Sequence, residues 1–338
     1  MDKVARFSEQ DRRDLFADTA FTRGLHPAVI EKDFWVCWTL KKLFSSPLLG
    51  PNVVFKGGTS LSKVHQLIER FSEDIDLVLN WELIGFGKRQ RDPWQELPSK
   101  TKRDLFNREV NQKAEEYLKA VFHPHLTELI ASVPGLTTWV SEREELTIYL
   151  RYPAAFSLEA LRPEIKLEVG PLAAWVPSEK RCIRSYAAEE YPHLFDEADC
   201  QVVAIQADRT FWEKATILHQ QAHRTKPMPA NYSRHYYDLA RMAKSPVKSV
   251  ALADLDLLEE VIKFKERFYR CSWAHYQEAR PGTFRLIPSP AGEKELKEDY
   301  LKMKPMFFKE PPEWDEVLNT LQELEQEINS LSLPPHQE

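Results

Sequence analysis

The stretch Val53–Leu79, "VVFKGGTSLSKVHQLIERFSEDIDLVL", decides how the chain is read. "NVVFK" has the apolar character of a short buried strand, and Gly57-Gly58 behind it is a turn signal. Thr59 or Ser60 supplies a hydroxyl able to cap a helix over "LSKVHQLIERF". "DIDLVL" then reads as a second strand. Its side chains alternate, so Asp74 and Asp76 share one face while Ile75 and Leu77 occupy the other.

Two carboxylates so close together repel, which raises one pKa unless a counter-charge is near. A divalent cation is the usual remedy, and hard Mg²⁺ takes one or two carboxylates plus substrate phosphates. The glycines bring bare backbone N–H groups to a helix start, where the dipole favours an anion, and Ser60 adds a hydroxyl. A phosphate cradle beside a metal platform is the minimal kit for moving a nucleotidyl or phosphoryl group. A third carboxylate, Glu168 in "EIKLEVG", shares a strand face with Lys166, opposite Ile165, Leu167 and Val169. It could complete a two-metal site and activate an attacking hydroxyl. Each feature alone has an ordinary reading: a plain turn, a solvated Asp-x-Asp, an exposed strand Glu. Their order along the chain favours function.

The whole chain sets the bounds. Its 338 residues suit two domains, and 43% hydrophobic with 29% charged residues suits a soluble globular protein. The net charge of -6 gives no global case for nucleic-acid binding, so such a partner needs local patches. Four scattered cysteines without a C-x-x-C pair argue against a disulfide framework or zinc knuckle. No secretory h-region and no membrane-length apolar run is seen, so the cytoplasm is expected.

Elsewhere, His26–Phe44 reads as a buried helix with Pro27 in its first turn. Residues Ile84–Pro98 read as a loop, followed by helical periodicity up to Pro124. "ELTIYLRYP" and "PEIKLEVGPL" read as strands of one sheet. From Val202 the chain turns helical, ending in the acidic amphipathic "PPEWDEVLNTLQELEQEINSL". The boundary falls near Arg184–Pro192, giving domains 1–185 and 186–338. His219 and His223 have helical zinc-pair spacing, but "HQQAH" lacks the Glu of H-E-x-x-H, and a metal site is not expected. Lys88, Arg89, Arg91, Lys100, Lys102 and Arg103 form a basic patch around Trp94. Solvated loop charge is its default reading, and a phosphate-binding surface its reading in an RNA-binding enzyme.

At these residues the chain resembles the DNA polymerase β-type nucleotidyltransferase superfamily, and within it the AbiEii/AbiGii-type toxins of abortive-infection and toxin–antitoxin systems. The resemblance rests on "FKGGTSLSK…RFSEDIDLVL", with "VIEKDFWVCWTL", "DRTFWEKATIL" and "RHYYDLARM" fitting the same family. It implies an α/β nucleotidyltransferase core with a small mixed sheet, and a mainly helical C-terminal domain closing over the nucleotide. It also implies Mg²⁺ or Mn²⁺ on Asp74, Asp76 and Glu168. The NTP substrate would be held by Lys56, Gly57, Gly58, Thr59, Ser60 and Lys63. Lys214, in "FWEKATIL", would contact nucleotide phosphates, and Asp238, in "RHYYDL", would act as a catalytic residue or support that lysine.

The implied acceptor is RNA, with the tRNA 3′ end as the site in some members, where added nucleotides would block aminoacylation. A cognate antitoxin is implied as partner. Rival readings are transfer to a small molecule such as an aminoglycoside, transfer to a protein, or a nucleotide-binding regulator without catalysis.

Overall fold

The computed structural model describes residues 1–72, 74–87, 89–159 and 161–332. Two units divide the chain: Met1–His65 with Phe71–Ile205, and Gln66–Arg70 with Gln206–Glu338.

In the first unit, helices α1 (Asp2–Ala5), α2 (Glu9–Arg23) and α3 (Pro27–Ser45) lead into β1 (Val53–Lys56), α4 (Gly57–Lys63) and β2 (Ile75–Leu79). After α5 (Lys100–Tyr117) and α6 (His123–Ile130) come β3 (Thr137–Val140), β4 (Thr147–Arg151), β5 (Glu164–Gly170) and β6 (Ser178–Ile183). A short α7 (Tyr186–Glu190) precedes β7 (Cys200–Ile205). The strands form one seven-stranded sheet in the order β3-β4-β5-β2-β1-β7-β6. It is mixed, because β2 runs antiparallel to β1 and parallel to β5.

Helix α3 explains much of the packing. Pro27 opens it, and Phe34, Trp35, Trp38 and Leu40 are fully buried where it lies against β5 and β7. Because β1 and β2 are interior strands, their residues are apolar on both faces except where chemistry intrudes, at Lys56 and Asp76.

Three expectations are corrected. Residues Cys200–Ile205 form a strand that joins β1 in parallel at Phe55↔Ala204, where the chain was expected to turn helical from Val202. A short apolar run does not betray whether it is strand or helix. Helix α4 stops at Lys63 instead of reaching Phe71, and Gln66 beyond it has left-handed φ of 53°. Pro124 does not end the long helical stretch. The chain passes from α5 through a π-turn, Leu118–Phe122, into α6, whose first turn accommodates the proline.

The second unit is helical: α8 (Ala207–Ala222), α9 (Ser233–Ala243), α10 (Val247–Ala253), α11 (Leu255–Phe268), α12 (Pro290–Lys302) and α13 (Trp314–Ser330). Helix α8 packs on α9, α10 and α11, and α9 also meets α12 and α13. Gln66–Arg70 joins this unit through its backbone: the Glu69 carbonyl accepts from Phe308 N at 3.0 Å, and Glu69 N donates to the Tyr237 hydroxyl at 3.2 Å. Among the described residues no helix is long and apolar enough to cross a membrane.

Candidate active site

Strand β1 ends at Lys56, and the chain turns at once into α4 through Gly57, whose φ is +81°. Only glycine adopts that conformation without strain. Space demands glycine too. A Cβ at position 57 would lie 1.8 Å from Oδ2 of Asp76, so the bare turn is the seat of that carboxylate.

Asp76 stands opposite Lys56 on β1 and opposite Glu168 on β5. Asp74 immediately precedes β2, and its carbonyl accepts a 2.5 Å bond from Thr59 Oγ1, which ties the acid strand to α4. Both aspartates are half-buried. The sheet thus gathers Lys56, Gly57, Thr59, Asp74, Asp76 and Glu168.

Glu168 has a partner of its own. Lys166 Nζ lies 2.7 Å from Glu168 Oε1 and 3.3 Å from Glu144 Oε1, and Tyr149 donates to Glu144 at 2.5 Å. Burial works against charge on Lys166, but Glu168 and then Glu144 outweigh it and raise its pKa. Tyr149 is pushed up to about 12, first by its bond to Glu144, with burial next and the Asp74 charge a minor contributor.

Among the described residues, no three His, Cys, Asp or Glu side chains form a group suited to a metal ion. What fits a hard cation is the pair Asp74 and Asp76, an oxygen-only donor set of the kind Mg²⁺ shares with substrate phosphates. Glu168 lies next to Asp76 in register, but its carboxylate rests on Lys166.

Thr59 and Ser60 are buried, and α4 begins with no side-chain cap. The Thr59 hydroxyl therefore serves the Asp74 backbone rather than the helix end. Lys63, expected among the nucleotide-binding residues, has its ammonium 2.7 Å from Asp33 Oδ1 and 3.8 Å from the Tyr186 ring centroid. Burial opposes its charge, yet Asp33 raises its pKa, and Asp33 also accepts from Tyr186 N at 2.6 Å. The sequence contained Asp33 in "VIEKDFW" without any signal of this pairing.

In the helical unit, α8 and α9 bring Lys214 and Asp238 together, and Arg70 completes the cluster. Arg70 bonds both Asp238 oxygens, at 2.7 and 2.8 Å, and Lys214 Nζ lies 2.8 Å from Oδ2. All three side chains are buried. Burial alone would raise the Asp238 pKa, but Arg70 and Lys214 hold it well below the usual carboxylate range. Lys214 is lowered, by burial first, with Asp238 opposing and Arg70 adding to the fall. His235, with Nδ1 3.5 Å from Lys214 Nζ, is driven well below its ordinary value by burial and then by Lys214. Arg70 was missed as a site residue, although it opens the Arg-x-Ser-x-Asp-x-Asp sequence that ends at Asp76.

Of the expected basic patch, Lys88 lies outside the described residues. Arg89, Lys100 and Lys102 are exposed, the last two in the first turn of α5. Arg91 pairs with Glu109 and lies over the Phe106 ring, and Arg103 donates to the Leu97 carbonyl. Trp94 is about half exposed, at 48%.

A family model described as "Nucleotidyl transferase AbiEii toxin, Type IV TA system" matches residues 38–320. No curated protein matches the chain. Among solved structures, it is similar to MenT4, a nucleotidyltransferase toxin from Mycobacterium tuberculosis H37Rv, at 16% identity and a TM-score of 0.44, covering 94% of this chain and 96% of that one. It is also similar to a proposed nucleotidyltransferase from H. pylori, at 14% identity and a TM-score of 0.32, covering 88% and 97%. The family match spans most of the sequence, and the chain belongs to the AbiEii nucleotidyltransferase toxin family of type IV toxin–antitoxin systems.

Proposed function

We propose that this toxin transfers a nucleoside monophosphate from an NTP to an RNA acceptor, the 3′ end of tRNA, and so halts translation. The observation that carries the reading is the seating of the Asp76 carboxylate on Gly57, against the glycine turn. In the reaction an acceptor hydroxyl attacks the α-phosphorus in line, the new P–O bond forms as the bond to the β-phosphate oxygen breaks, and pyrophosphate leaves.

Asp74 and Asp76 would hold Mg²⁺ or Mn²⁺, which supplies charge neutralisation of the triphosphate. Backbone N–H groups at Gly57 and Gly58 are assigned to phosphate oxygens, with Lys56 as the nearby cation. Glu168, ion-paired with Lys166, is assigned to receive the proton of the attacking hydroxyl. Lys214 is assigned to the charge on the leaving group and Asp238 to its support.

RNA is favoured as acceptor by exposed Arg89, Lys100 and Lys102 near Trp94, cations for the backbone and a ring for stacking. A cognate antitoxin is the partner expected of the family, and the cytoplasm, where NTPs and tRNA occur together, is the proposed setting. The test offers the protein each α-labelled NTP with total tRNA, an aminoglycoside panel, or no added acceptor. Label on tRNA supports the proposal; label on the antibiotics or on the protein itself would move the reaction to another substrate class.

A further inference from the structure

Helix α2 carries a feature that nucleotidyl transfer does not use. It precedes the stretch matched by the family, residues 38–320. An open groove of about 900 Å³ runs along it, with Phe7, Leu15, Phe21 and Leu194 among its apolar lining. Phe21 is 88% exposed. An aromatic side chain left this bare beside an apolar groove marks a contact surface rather than a core residue.

The rim of the groove gives the sign of the occupant. Asp11, Asp14 and Asp18 line it at helical spacing, so they share one side of α2. Their side-chain partners are neutral: the Ser8 hydroxyl for Asp11, the Gln10 amide for Asp14 and the Tyr191 hydroxyl for Asp18. The arginines of the same helix are engaged elsewhere. Arg12 donates to the Phe7 carbonyl, Arg13 meets Glu9, and Arg23 pairs with Glu189 and Glu190. Among the described residues these three carboxylates have no cationic side chain in ion-pair range, and beside a bare ring they complement a segment that is both basic and apolar.

We propose that this groove docks a basic amphipathic helix of a partner protein, with an apolar stripe over Phe21 and Leu15 and Lys or Arg side chains on Asp11, Asp14 and Asp18. A second copy of the chain is disfavoured as occupant, because an isologous contact would set like charges together in a protein of net charge -6. The proposal is independent of the transfer reaction.

The probe is a synthetic amphipathic helix with lysines flanking a Leu-Trp stripe, titrated into the full-length protein by calorimetry. Its control is the same peptide with glutamate for lysine. The lysine peptide is expected to bind at least about tenfold more tightly than the control, and to weaken as salt is raised. Phe21→Asp and, separately, Asp14→Lys should each weaken binding by about tenfold or more while leaving nucleotidyl transfer unchanged. Equal affinity for the two peptides, or variants that bind like the wild type, would overturn the proposal. So would a dimer of the wild type that Phe21→Asp dissolves, since the groove would then belong to a second copy.

Discussion

Arg70 grips Asp238 through two parallel bonds, Nε to Oδ1 at 2.7 Å and Nη2 to Oδ2 at 2.8 Å, and both side chains are buried. Bidentate geometry of this kind is strong and specific. Lys214 shares the same carboxylate, so Asp238 answers two buried cations. Removing the anion is therefore the costliest change. Asp238→Asn is expected to destabilise the protein by about 3–5 kcal/mol, and Lys214→Met by less, since Arg70 still answers Asp238. In a double-mutant cycle followed by urea unfolding, the combined variant should be less destabilised than the sum of the two. Strict additivity would show that the cluster does not act as a unit.

Gly57 separates backbone strain from the seating of Asp76. Gly57→Ala introduces both an unfavourable φ and a collision with the Asp76 carboxylate. Gly282→Ala introduces the φ penalty alone, with φ of +89° and nothing within 4 Å of the new Cβ. Each should lose about 1–2 kcal/mol from backbone strain. Only Gly57→Ala should also lower kcat, by about a hundredfold or more, because displacing the reacting geometry by an ångström has that effect. Matched activities in the two folded variants would show that the carboxylate does not need its seat.

Lys63 tests whether proximity in sequence to the glycine turn implies a nucleotide contact. Its pair with Asp33 is buried, with side-chain exposures of 7% and 4%. Lys63→Met should cost about 3–5 kcal/mol of stability by stranding Asp33. The KM for NTP, measured well below the melting temperature, should not move. A raised KM at unchanged kcat would return Lys63 to the binding set.

His219 gives the helical unit a pH dependence. Its Nδ1 accepts from Arg285 N and its Nε2 donates to the His275 carbonyl, each at 3.0 Å, which requires a neutral ring. Burial pulls its pKa down to about 4, against the His275 carbonyl and the Glu278 charge, with His223 and Arg285 adding to the fall. A depressed histidine is protonated first in the unfolded chain, so stability is lost as pH falls from about 6.5 to about 4 and levels off below. The loss attributable to His219 is about 3 kcal/mol. Urea midpoints across that window should slope less steeply for His219→Gln than for the wild type; parallel slopes would contradict the assignment.

The central strands β1 and β2 were legible because period-two alternation and the Gly-Gly turn are local signals, visible in Val53–Leu79 alone. The same holds for α3 with Pro27 at its start. Long-range pairings were not legible. Strand β7 is held by its antiparallel pairing with β6 and by its contact with Phe55 of β1, and Lys63 finds Asp33 from across the fold. Arg70 illustrates both cases. It is visible as the first residue of the sequence running to Asp76, yet its attachment to Asp238 depends on how α9 packs. The tie between Thr59 and the Asp74 carbonyl likewise depends on the strand and helix meeting, which spacing alone does not dictate.

The most direct test of the paired aspartates measures incorporation of α-labelled NTP into tRNA, with pyrophosphate release counted in the same reactions, for wild type, Asp74→Asn and Asp76→Asn. The folded state of each variant is checked by circular dichroism. The wild type should label tRNA and release pyrophosphate in equal amounts, and each variant should lose at least about a thousandfold in rate while remaining folded. A folded Asp76→Asn protein that labels tRNA at the wild-type rate would contradict the assignment of the site.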